Sequence, residues 1–152
     1  MTYKERYNEI HKEWSKNKFP SVHADGHYSP PKMPGIRTSN GLTNYLVNAI
    51  NWMGGNATRV SSAGRMIDAQ QKQPSGTILT VKKYIPSTTR KGTADVTATF
   101  KGKSFKFEIK IGNDKPSTYQ LEEQKREIAA GCYYFFIKTP DDFWSAIDFV
   151  LK

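Results

Sequence analysis

Three side chains in the stretch GTADVTATFKGKSFKFEIKIG, residues 92–112, have the types and spacing to do chemistry: Asp95, Glu108 and Lys110. Along a strand, successive side chains alternate between the two faces. In ADVTATF, Asp95, Thr97 and Thr99 share one face and Val96, Ala98 and Phe100 the other; in KSFKFEIKI, Lys106, Glu108 and Lys110 oppose Phe105, Phe107, Ile109 and Ile111. Lys101 and Gly102 between them suit a two-residue hairpin, because the glycine accepts the positive φ that such turns demand. Pairing Phe100 with Lys103 brings Val96 to Phe107 and Ala98 to Phe105, so the apolar faces agree and Asp95 falls opposite Glu108. Opposed side chains have Cβ atoms roughly 4.5–5.5 Å apart, where like charges are destabilising. Protonation of one acid, screening by Lys106 or Lys110, or a divalent cation between the acids would each compensate. An Asp, a facing Glu and a Lys two residues on supply a hard-cation site beside a proton-handling amine.

The elements that must position these residues are legible on either side. Tyr3, Tyr7, Ile10 and Trp14 form one apolar stripe of a helix over 3–17, an amphipathic arm. Pro20, Pro30, Pro31 and Pro34, with Gly26 and Gly35, break any regular pattern up to residue 40. The expected organisation is therefore an N-terminal helix and Pro-rich linker over 1–40, then a domain over 41–152. Leu42, Tyr45, Leu46, Ala49, Ile50 and Met53 mark a helix over 42–53 that stops at Gly54 and Gly55, with Asn44, Asn48 and Asn51 on its polar side. Residues 56–64 and 77–85 are strand candidates, the second rich in β-branched residues. Ser117 with Gln120 fits a capping box, and Gly131 ends that helix. CYYFFIK, 132–138, reads as a strand covered on both faces, and Thr139, Pro140 and Asp142 as the start of a last helix with Phe143, Ile147 and Val150 inward. The order is α/β: a mixed sheet with helices against it.

The chain has 152 residues, 23 Lys and Arg against 14 Asp and Glu, and a formal charge of +9. That length gives room for one core, and that charge favours a polyanionic partner. No apolar run approaches the roughly 20 residues that span a bilayer, and MTYKERYNEI lacks the apolar stretch of a secretory signal. A single cysteine, Cys132, excludes an intrachain disulfide and multi-thiolate zinc sites. The expectation is a cytoplasmic chain with no membrane partner. His23, Asp25 and His27 in VHADGHY lack further ligands and read as loop residues.

Asp95 followed by Glu108-Ile109-Lys110 on the next strand resembles the D…(D/E)-x-K core of the PD-(D/E)XK nuclease superfamily, a restriction-endonuclease-like and Holliday-junction-resolvase-like fold of mixed sheet flanked by helices. Within that superfamily the chain resembles the VRR-NUC family, on Gly92 to Asp95, Glu108 to Lys110, Ser117 to Gln120, and Gly131 before CYYFFI. Two departures stand out. Ala94 replaces the superfamily's proline, and Asn44, Asn48 and Asn51 occupy the first helix where many members carry a metal-holding Glu. One catalytic ion is the resulting expectation.

The resemblance implies that Asp95, Glu108 and the backbone carbonyl of Ile109 hold Mg²⁺ or Mn²⁺. Lys110 would position a water or stabilise charge on the phosphate. Gln120 would orient Lys110 or a DNA phosphate, or else merely close the capping box. Arg90, Lys91 and Lys115 flank the same end of the sheet and are candidates to meet phosphates, with Arg59 and Arg65 further candidates. The implied function is a metal-dependent DNA endonuclease for branched, flapped or junction DNA, acting as a homodimer. Two other classes compete: a basic nucleic-acid-binding module that keeps the fold but does not cut, and a partner-binding protein whose charge serves solubility.

Overall fold

The structure is a computed structural model that describes residues 1–61 and 63–152. Its elements are α1 (Tyr3–Lys18), α2 (Pro20–Ala24), α3 (Ser39–Trp52), β1 (Asn56–Arg59), β2 (Arg65–Lys72), β3 (Ile78–Ile85), β4 (Val96–Phe100), β5 (Lys103–Ile109), α4 (Thr118–Ala129), β6 (Tyr133–Ile137) and α5 (Pro140–Leu151). Four strands form a mixed sheet in the order β1-β4-β5-β6. β1, β4 and β5 pair antiparallel, whereas β6 runs parallel to β5 after the α4 crossover.

The hairpin register is the one the alternation demands: Val96 pairs with Phe107, Ala98 with Phe105 and Phe100 with Lys103. Lys101 (φ 47°) and Gly102 (φ 72°) both have positive φ, the requirement of a type I′ turn, whose twist matches that of the strands it joins. The apolar face, Val96, Ala98, Phe105, Phe107 and Ile109, is buried against Leu42, Tyr45, Leu46 and Ala49 of α3 and Phe143 and Ile147 of α5. α4 lies over the opposite, polar face, where Gln124 reaches the backbone of Tyr134 and Glu127 lies 3.7 Å from Lys106.

The amphipathic helix α1 packs its apolar stripe into the core. Tyr7 is fully buried and stacks on Tyr45 with ring centroids 4.4 Å apart. Arg6 donates to both carboxylate oxygens of Asp148 and lies 4.1 Å from the centre of the Trp144 ring, stapling α1 to α5. His23 is in α2, with Nε2 2.9 Å from Ser15 Oγ and its ring stacked on Tyr28, so it serves packing.

One departure is the ribbon β2–β3, a two-stranded sheet of its own inserted between β1 and β4. Its first strand, Arg65–Lys72, lies after the expected segment 56–64, in a stretch given no element, and Ser62, inside that segment, lies outside the described residues. Among the described residues no helix is long and apolar enough to cross a membrane.

Candidate active site

Asp95 sits at the entrance to β4, one residue before the ladder begins. Its backbone carbonyl accepts from the N–H of Val60 at 2.8 Å, and its Oδ2 accepts from the N–H of Ile109 at 2.9 Å. The acid of one strand thus caps the end of the other, in the position the register extends to. Gly92 makes this approach possible: it has φ 84°, and a Cβ there would lie 2.5 Å from the carbonyl oxygen of Tyr119, so only glycine lets the loop press against the first turn of α4.

Glu108 and Lys110 are each only 4% exposed on the polar face, beneath α4. Oε1 of Glu108 accepts from the side-chain amide of Gln120 and lies 3.5 Å from Nζ of Lys110. Oε2 is buried without a hydrogen-bond partner. Burial, and then the negative charge of Asp95, push the Glu108 carboxyl up to about 7, against the opposing pull of Lys110. The ammonium of Lys110 is also 3.3 Å from Oδ2 of Asp114.

Gln120 performs two tasks at once. Its Oε1 accepts from the N–H of Ser117 at 2.9 Å, closing the capping box, while its Nε2 donates to Glu108. It does not orient Lys110 directly; it fixes the acid that Lys110 pairs with.

Not all of the basic candidates are free. Arg59 pairs across from Val96, one residue from Asp95, and donates to Asn40 at 2.6 Å. Arg90 lies 3.5 Å from the buried acid Glu123, which also pairs with Arg126 at 2.8 Å. Lys91 lies 5.5 Å from the centre of the Tyr119 ring in the first turn of α4. Lys115 is exposed just before the Ser117 cap, and Arg65 is exposed at the root of the ribbon.

Three residues near the site escaped the sequence reading. Asp114 stands four residues after Lys110 and pairs with it, and Glu123 stands three residues before its partner Arg126, spacings that a loop or helix brings together. Tyr134, 4% exposed, shares the polar face because β6 pairs Tyr134 with Lys106 and Phe136 with Glu108, a register no local motif announces.

The asparagines of α3 do not complete the site. Asn48 donates to the Tyr7 hydroxyl at 3.2 Å, Asn51 brackets Ala57 through both its amide atoms, and Asn44 is exposed. Among the described residues no cluster of three or more acidic, His or Cys groups forms. The donor set is two carboxylates, all hard oxygen, with one buried oxygen unclaimed, and this fits Mg²⁺ or Mn²⁺, which need one or two carboxylates plus substrate and water. No family model matches the chain, and no curated protein matches it.

Proposed function

We propose that this chain is a divalent-metal-dependent nuclease that hydrolyses phosphodiester bonds in DNA, of the VRR-NUC type its motifs resemble. The observation that carries the reading is the Glu108 carboxylate: Gln120 grips one oxygen, and the other lies buried and unpaired beside the charge of Asp95. Buried polar atoms are nearly always bonded, so a buried carboxylate oxygen with no protein partner, held among fixed neighbours, supports a cation-binding role for this acid.

Asp95 and Glu108 would hold a divalent cation, which when bound would supply Lewis-acid polarisation of the phosphodiester and acidify water. The resemblance would add the Ile109 carbonyl as a third oxygen. Because Asp95 also accepts from the N–H of Ile109, the ligand loop and the end of β5 are tied together. Lys110 stabilises the charge that grows on the phosphate as the water oxygen bonds to phosphorus and the ester P–O bond breaks. Gln120 holds Glu108 in place, so the carboxylate need not reorganise when substrate arrives.

Substrate approach is served by exposed Lys91 and Lys115 beside the first turn of α4. The ribbon adds Arg65, Lys72 and Lys83, while its one acid, Asp68, is already paired with Lys82. A two-stranded ribbon exposed along both strands has the width to enter a major groove. Preference for branched, flapped or junction DNA, and action as a homodimer, rest on the resemblance. One observation favours a second reading, a binding module that does not cut: only two acids converge, and Asn48 and Asn51 are committed to structure. Incubation with labelled single-stranded, duplex, flapped and four-way DNA in Mg²⁺, Mn²⁺ or EDTA separates the two. Cutting that EDTA abolishes supports the nuclease, and binding without cutting in any metal supports the module.

A further inference from the structure

Among the described residues two buried side-chain atoms have no hydrogen-bond partner: Oε2 of Glu108 and the hydroxyl oxygen of Tyr134. Each costs free energy while unpaired. They belong to adjacent parallel strands and to one face of the sheet, since Tyr134 pairs with Lys106, two residues before Glu108. Tyr134 is 4% exposed, with its ring centroid 5.5 Å from that of Phe136 and α4 above it.

The chemistry of the two orphans is complementary. Burial, and then the charges of Glu108, Asp95, Glu123 and Glu127, push the Tyr134 hydroxyl's pKa up, so it keeps its proton at any working pH. A protonated phenol is a donor, and an ionised carboxylate is an acceptor only. Lys106, which pairs with Tyr134 across the strands, has its ammonium at Thr97 and Glu127.

We propose that Tyr134 is a positioning residue of this site: its hydroxyl, unpaired in the metal-free fold, donates to Glu108 through one ordered water once a divalent cation is shared with Asp95, and aims the free carboxylate oxygen at that ion. The proposal rests on the nuclease reading and extends it to a residue outside the D…E-x-K motif. Outer-shell donors of this kind orient a metal's ligands, and their loss typically weakens metal affinity about 10- to 100-fold.

The test is Tyr134→Phe, which deletes only the hydroxyl, beside Tyr133→Phe, whose ring faces Phe105 on the other side of the strand. Mn²⁺ is titrated into each protein and the free ion followed by electron paramagnetic resonance; thermal melting is recorded in EDTA. Expected are a Mn²⁺ dissociation constant raised at least about tenfold in Tyr134→Phe only, a melting temperature in EDTA that is unchanged or higher, and a lower kcat with KM for DNA unchanged. Equal Mn²⁺ affinity in wild type and Tyr134→Phe overturns the role of Tyr134 and leaves the metal site standing. A lower melting temperature in EDTA also overturns it, because the hydroxyl would then be holding the metal-free fold. Absence of Mn²⁺ binding by the wild type removes the nuclease reading itself, and this inference with it.

Discussion

Gln120 donates its amide to Glu108 while its carbonyl oxygen accepts from the N–H of Ser117, so the start of α4 and the buried acid of β5 are joined through one side chain. The two functions separate by substitution. Gln120→Glu keeps the S-x-x-E capping box but sets a carboxylate against Glu108; Gln120→Ala loses both bonds. Gln120→Ala is expected to cost about 1 kcal/mol of stability through the cap and to lower cleavage about 10- to 100-fold through the acid. Gln120→Glu should retain α4 helicity by circular dichroism yet lose cleavage at least as much.

Glu108 makes the metal-free protein sensitive to pH. Its carboxyl lies near 7 when folded, above the ordinary value of 4.5, with burial and Asp95 raising it and Lys110 opposing them. A group raised on folding contributes stability that is fully present below its unfolded pKa and is lost as pH rises through the folded one. Melting temperature in EDTA should therefore fall between about pH 5 and pH 8, by an amount on the order of 3 kcal/mol of unfolding free energy. Glu108→Gln should flatten that slope, and Mg²⁺ should stabilise the wild type more at pH 8 than at pH 6. A wild-type slope that survives in Glu108→Gln would assign the effect to another group.

α1 should behave as core. Tyr7→Ala removes a fully buried ring stacked on Tyr45 and is expected to cost about 3–5 kcal/mol in urea unfolding. Arg6→Ala breaks a half-exposed pair with Asp148 and the contact over Trp144, for about 1 kcal/mol. Unfolding curves unaffected by Tyr7→Ala would return α1 to the status of a loose arm.

How much of this was legible depends on where the information resides. The Asp95–Glu108 relation followed from period-two alternation and a Lys101-Gly102 turn, both local. The caps at Ser117 and Thr139 were legible for the same reason, each being a four-residue motif whose hydrogen bonds form within it. The apolar stripe of α1 is legible in the sequence, whereas its partners, Tyr45 and Asp148, are not, because they are far away in sequence. β2 was missed because RMIDAQQK offers only Met66, Ile67 and Ala69 as apolar residues; its strand character comes from pairing with β3 rather than from a buried face. Tyr134 required the parallel β5–β6 register, which the crossover through α4 decides and no spacing encodes.

The basic residues divide into two kinds. Arg90→Ala would leave the buried Glu123 with Arg126 alone, mixing a stability loss into any binding loss. Lys91 and Lys115 are exposed and pair with no acid among the described residues, so their replacement disturbs the fold little beyond the Lys91–Tyr119 contact. Lys91→Ala with Lys115→Ala should weaken binding of all DNA sequences alike and reduce the slope of log K against log salt by about 2. An unchanged slope in a salt titration would place the phosphates elsewhere, with the ribbon cations Arg65 and Lys83 next to be replaced.

The most direct test is cleavage by Lys110→Met beside wild type, on whichever labelled DNA binds best, in Mg²⁺ and in EDTA. Lys110 pairs with Glu108 and Asp114, so its loss changes the net attraction for DNA little while removing the ammonium assigned to the reacting phosphate. The expected result is Mg²⁺-dependent cutting by wild type, with Lys110→Met binding the same DNA equally but cutting it at least about 10²- to 10³-fold more slowly. Wild type that binds but never cuts in any metal, or Lys110→Met that cuts as fast as wild type, would contradict the assignment of this site as a nuclease centre.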